Sequence, residues 1–190
     1  MKFNYLPVAL AALAATAIGA LPQAANAEPF KGEYLGVQGG VAITRVRGDT
    51  LTGTLDDTAH KPVVIALGGY RGTLWSDSQI ILGIEGDIGF LIDEFDSRYS
   101  ISGIAGYNID DRALIYGRVG FASLSDADPN LNENVEGLML GGGAEMNVFS
   151  RINFRIDYRN IDYGASAPDL VGNTLNLRGH EVTGGVIFDF

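Results

Sequence analysis

Eight stretches of this chain alternate apolar and polar residues, at about 33–44, 63–75, 79–90, 98–108, 113–124, 135–148, 151–161 and 176–190. Side chains on a strand point alternately to its two faces, so a period of two is the mark of a sheet with unlike faces. Each stretch matches or exceeds the roughly 9–11 residues a tilted strand needs to cross a bilayer, whereas strands of soluble proteins run nearer five or six. No segment of the region reads well at helical period. In lipid an open sheet edge is not tolerated, so strands that cross must close on one another. An even count of eight predicts an all-β fold, an eight-stranded antiparallel up-and-down transmembrane β-barrel.

The gaps between these strands alternate in length. Residues 45–62, 91–97, 125–134 and 162–175 form long polar connections, while Ser76–Ser78, Ile109–Arg112 and Phe149–Ser150 are tight links. A barrel whose chain starts in the periplasm places its odd-numbered connections outside, and long outer loops with short inner turns are the usual asymmetry. The last strand ends on Phe190. An aromatic terminus left free in water would fray, but one that pairs with the first strand is held. Tyr34, Trp75, Tyr107, Phe149 and Phe188 are expected at the periplasmic rim, with Phe90, Tyr99, Phe121 and Tyr158 at the outer one, because amphipathic rings favour headgroup depth.

The first 27 residues read differently. Lys2 precedes an apolar run from Val8 to Ala20, and Ala25-Asn26-Ala27 supplies small residues for cleavage. Thirteen helical residues span about 20 Å, too short for the hydrocarbon core. Residues 1–27 are therefore expected to be a cleaved signal peptide, and 28–190 one outer-membrane barrel domain. The full chain carries a net charge of −10, so nucleic acid is excluded as a partner. Cysteine is absent, which removes disulfides and thiolate metal sites.

Parity then assigns the faces. Ile80, Leu82, Ile84, Ile101, Ile115, Val119, Leu138, Leu140, Phe154, Ile156 and Tyr158 are expected to face lipid. Glu85, Asp87, Arg118, Glu145, Arg155 and Asp157 fall on the inner face, joined by Arg159. Isolated charges in so narrow a space would be costly, so they are expected to pair, with Arg118 and Arg155 bridging Glu85, Asp87 and Glu145 into a plug. Glycines on both faces suit high curvature and close strand approach. Gly141-Gly142-Gly143 lacks the Lys-Ser/Thr and helix of a phosphate cradle.

The stretches Y-L-G-V-Q-G-G at 34–40, G-I-E-G-D-I-G-F at 83–90 and S-G-I-A-G-Y-N-I-D-D-R-A-L-I-Y-G-R-V-G-F-A at 102–122 resemble the small Gram-negative outer-membrane β-barrel family. That family includes OmpA-like and opacity-type surface proteins and the alphaproteobacterial porin-family members. G-G-G-A-E-M at 141–146, F-R-I-D-Y-R-N-I-D-Y-G at 154–164 and H-E-V-T-G-G-V-I-F-D-F at 180–190 extend the likeness over nearly the whole mature region. The resemblance implies a cell outer membrane location amid lipid and lipopolysaccharide. It also implies that Phe190 is a mark read by the outer-membrane assembly machinery. It leaves activity open, because members differ mainly in their outer loops.

Three functions follow as expectations: a non-catalytic structural or surface-interaction barrel, a small porin-like diffusion channel, and a lipid A-modifying enzyme. The enzyme is disfavoured because the histidines, His60 and His180, lie apart, and adjacent His180 and Glu181 point to opposite faces. No catalytic residue, cofactor site or metal centre is assigned. Asp126, Asp128, Asn130 and Asn132 repeat like the start of a calcium loop, but glycine at the sixth position is missing and Gly137 occupies the twelfth. A weak divalent-cation site there is the most that spacing allows. An extracellular ligand would meet Arg45, Arg47, Asp49 and Asp56 on the first loop, or Asp162, Tyr163, Asp169 and Asn173 on the last.

Overall fold

The computed structural model describes residues 29–50, 53–76, 78–92, 97–109, 112–125, 135–166 and 175–190. Eight strands follow one another: β1 (Gly32–Thr50), β2 (Gly53–Thr73), β3 (Ile80–Leu91), β4 (Ser97–Ile109), β5 (Ala113–Ser125), β6 (Val135–Phe149), β7 (Ile152–Ser166) and β8 (Leu175–Asp189). Each pairs antiparallel with the next, and β8 returns to β1 from Tyr34↔Asp189 to Gly48↔Leu175, closing the barrel. Closure satisfies the two sheet edges that an open sheet would present to lipid.

The molecule is apolar outside and charged inside, the reverse of a water-soluble core. Ile84, Ile101, Val119, Phe121, Ile156 and Val182 are each more than half exposed, while Glu85, Arg118, Arg155 and Asp157 are buried. So broad an exposed apolar surface suits lipid as solvent. Trp75, Phe149 and Phe188 stand exposed at the end where β1 begins and β8 ends, and Phe90, Phe121 and Tyr158 toward the other. Short turns shape the first end. Leu74 N donates to Ile80 O at 3.0 Å, Ser78 N to Trp75 O at 3.0 Å, and Ile80 N to Ser78 Oγ at 3.0 Å.

Tyr34 departs from the expected rim position. It faces inward at 1% exposure. Tyr34, Gln38 and Ala42 share one parity on β1, and it is the inner one; Val37 and Val41 take the lipid face. Gln38, four residues on, was the signal, because a buried amide on that parity marks the polar side.

Residues 45–50 and 53–62 are not a loop. The β1–β2 ladder runs unbroken from Gly32↔Arg71 to Thr50↔Gly53, so Arg45, Arg47, Asp49, Asp56 and His60 all sit in strands. Hydrophobic alternation ends near Ile43, but a hydrogen-bonded ladder continues wherever β-compatible residues face each other. Likewise β7 runs to Ser166, which places Asp162 and Tyr163 in a strand, with the Tyr163 ring buried inside the barrel. Asp169, Asn173 and the calcium-like stretch Asp126–Asn132 lie outside the described residues, as does the expected signal peptide.

Phe30 closes the end where β1 begins and β8 ends. It adopts φ 63°, a left-handed conformation rare for an aromatic, yet is fully buried. Its N–H donates to Asp189 Oδ2 at 3.1 Å, and its ring lies 5.5 Å from the Arg71 guanidinium carbon. Those contacts offset a backbone cost of order 1–3 kcal/mol. Phe30, Ile81, Ile104, Leu114 and Tyr116 form an apolar floor. Ala122, Met139, Ile161 and Tyr163 cluster toward the opposite end, and charge fills the space between.

Candidate functional site: the charged interior

Parity on β2 to β8 brings arginines and carboxylates from different strands to one axis. Among the described residues, Arg71, Arg98, Arg118, Arg155 and Arg159 are buried with Glu85, Asp87, Glu145, Asp157, Glu181 and Asp189. Five positive and six negative groups nearly balance, which is the condition for charges to persist out of water.

They form one continuous chain. Asp189 meets Arg71 at 2.6 Å, and Arg71 meets Glu145 at 2.7 Å. Arg155 Nε donates to Glu145 at 2.7 Å, while its Nη1 donates to Glu85. Glu85 also receives Arg118 at 2.8 Å, and Arg118 reaches Asp157 at 3.3 Å. Arg159 stands 4.0 Å from Glu85 and 2.9 Å from Asp87, where Arg98 arrives at 3.1 Å. Arg98 then contacts Glu181 at 3.0 Å. Signs alternate from one end of the barrel toward the other.

Neutral groups lock the chain in place. Tyr34 donates to Glu85 at 2.8 Å and Tyr116 to Asp157 at 2.5 Å. Gln38 donates to Asp157 at 2.6 Å, Ser100 to Asp87 at 2.6 Å, and Asn153 to Asp189 at 2.7 Å. Arg155 lies between two rings, 5.4 Å from the centroid of Tyr34 and 5.1 Å from that of Tyr116. A desolvated cation over an aromatic face gains about 2 kcal/mol or more.

Of the charges expected inside, Glu85, Arg118, Glu145, Arg155 and Asp157 share ion pairs. Asp87 is bridged by Arg159 and Arg98 rather than by Arg118 or Arg155, because it lies two residues further along β3 toward the opposite end. Arg71, Arg98, Gln38, Tyr34, Tyr116, Glu181 and Asp189 complete the network and were not anticipated in it. Strand parity carried the signal for Arg98, which shares a face with Ser100 and Ser102. It was weak for Arg71, whose inner neighbours on β2 are Val63, Ile65 and Leu67.

The histidines stand away from this chain. His180 Nδ1 meets Tyr158 Oη at 2.9 Å and Asn160 Nδ2 at 3.0 Å, and its ring stacks on Tyr158, with centroids 6.2 Å apart. His60 is exposed on β2, and both histidines flank Ile43, one on each side of β1. Glu181, next to His180, points inward to Arg98. Among the described residues no group of three or more His, Cys, Asp or Glu is placed to hold a metal ion.

A family model described as an outer membrane protein beta-barrel domain matches residues 10–190. A 22 kDa outer membrane protein of Rhizobium leguminosarum bv. viciae is 30% identical over 125 residues. That match takes in 59% of this chain and 58% of the relative, less than two thirds of its length. Neisserial surface protein A is 16% identical, with 84% of this chain and 100% of that structure aligned at a TM-score of 0.48. The N-terminal β-barrel domain of Pseudomonas aeruginosa OprF is 12% identical, with 80% and 97% aligned, also at 0.48. The eight-stranded closure itself rests on the β1–β8 register. With a family model spanning nearly the whole chain, this protein belongs to the outer membrane protein β-barrel domain family.

Proposed function

We propose that this barrel is a non-catalytic structural and surface-interaction protein of the outer membrane, with its interior sealed by the arginine–carboxylate chain. The unbroken series of contacts from Asp189 to Glu181 carries this reading. An eight-stranded interior is just wide enough for side chains to fill. Here those side chains are ion-paired, so an ion would have to separate buried pairs to pass. Reconstituted in planar bilayers, the protein is expected to give no stable unitary conductance. Reproducible steps of one amplitude would overturn the sealed interior and make it a small diffusion channel.

The same reading assigns the ends. Residues 1–27 act as an export signal, and the odd-numbered connections face the cell exterior. Arg45 and Arg178 are register partners across β1 and β8, two same-face steps beyond the apolar Val41↔Val182 row, at a height suited to phosphate groups of outer-leaflet lipopolysaccharide. Phe190 serves as the assembly mark. Its N–H donates to Glu33 O at 2.9 Å, the last rung of the closing seam. Deleting Phe190 is expected to reduce the heat-modifiable, folded barrel in outer-membrane fractions several-fold. Wild-type levels of folded, truncated protein would remove Phe190 from this role.

A further inference from the structure

Beyond the last ion pairs, at the barrel end opposite the start of β1, lies a cavity of about 200 Å³. Leu91, Leu124, Ile161 and Leu177 supply apolar wall; Arg98 and Glu181 supply its buried charges, and Thr44, Lys61, Tyr163 and His180 complete its polar lining. Arg98 and Glu181 are both at least nine-tenths buried. Arg98 approaches Glu181 through Nε and Asp87 through Nη2. Among the described residues its Nη1 has no partner, and neither has Oε2 of Glu181. Other unpaired interior atoms, such as Arg118 Nε, do not line this cavity. A buried donor or acceptor left unmatched is costly, so a donor and an acceptor beside one cavity mark a place where a ligand's polar end fits.

Charge decides what kind of ligand. Arg98 and Arg159 balance Asp87 and Glu181, so the floor is neutral as it stands. A carboxylate or ammonium brought here would be a buried charge without a counter-charge. A hydroxyl or primary amide satisfies both atoms, accepting from Arg98 Nη1 and donating to Glu181 Oε2. The apolar wall suits a short hydrocarbon body, and an apolar cavity of about 150 Å³ is enough to hold benzene. Lys61 stays at the half-exposed rim.

We propose that this cavity is a binding cup for a small neutral amphiphile whose polar end both accepts and donates a hydrogen bond. The test uses the full folded barrel in phosphatidylcholine nanodiscs, with backbone amide NMR read during separate titrations of 1-hexanol, hexanoate and hexylammonium. Hexanol is expected to give saturable shifts at Gly179 and Ala42, with the two ions weaker by about tenfold or more. Leu124→Trp, which fills the cup from its wall without touching the arginine chain, should abolish the saturable shifts while the protein remains heat-modifiable. Leu177→Phe serves the same purpose if the tryptophan variant does not fold. Equal or tighter binding of either ion overturns the neutral class. Shifts that never saturate, or that persist in a folded cup-filled variant, reduce the effect to partitioning into the bilayer and overturn the site.

Discussion

Arg155→Ala should lower the stability of the folded barrel by about 3–5 kcal/mol, the cost of removing one partner from a buried ion pair. Arg155 is fully buried and joins Glu145 to Glu85 at the centre of the chain. Its loss takes the interior from five arginines against six carboxylates to four against six. It also empties the space between the Tyr34 and Tyr116 rings. Partial compensation remains, since Glu145 keeps Arg71 at 2.7 Å and Glu85 keeps Arg118 at 2.8 Å. The lower end of the range is therefore expected. The urea midpoint of unfolding in lipid vesicles reads it directly, and a shift below about 0.5 kcal/mol, the scale of an ordinary surface change, would remove Arg155 from the network. Adding Glu145→Gln to the alanine variant removes one charge of each sign. That double variant should lose less than the sum of its two single changes, the signature of coupled partners.

Gly185→Val should prevent the barrel from closing. An added Cβ at Gly185 would lie 2.0 Å from Val37 O and 2.6 Å from Gln38 Cα, on the seam that joins β8 to β1. Gly40 is equally confined on the other side of that seam, 2.0 Å from Val182 O. The obstacle is backbone rather than a side chain that could rotate away, so the penalty exceeds the 1–3 kcal/mol of ordinary overpacking. The comparison is Gly39→Ala, whose Cβ meets nothing within 4 Å on the lipid side. Gly39→Ala should keep wild-type heat modifiability, and Gly185→Val should show no folded species. Normal folding of the valine variant would mean that the seam is wider than its register implies.

These inward glycines show how sequence and structure divide the information. Lipid enforces alternation, so eight strands and the inner placement of Glu85, Arg118 and Arg155 could be read from parity alone. Outside the membrane that pressure ends. Residues 45–62 therefore read as a loop in sequence, although the backbone of 45–50 and 53–62 stays paired. Tyr34 illustrates a different gap. An aromatic near a strand end suits either the interfacial belt or an inward hydrogen bond, and Glu85, which receives its hydroxyl, is 51 residues away. Arg71 was obscured by the apolar residues that share its face of β2. Which arginine meets which carboxylate depends on how far each strand is staggered around the barrel, a property of closure that no single strand carries.

The long β1–β2 hairpin has one further consequence. Among the described residues, β2 from Gly53 to Lys61 pairs with β1 alone, since Ile92 N donates to Pro62 O at 3.1 Å and the ladder to β3 begins at Val63↔Leu91. At 19 and 21 residues these strands outrun the bilayer and carry one open row of backbone groups into water. A bare edge of that kind recruits neighbouring chains. This one bears Asp56, Asp57 and Lys61 and ends in Pro62, which has no N–H to offer. Charge and proline along this edge thus discourage strand pairing between copies.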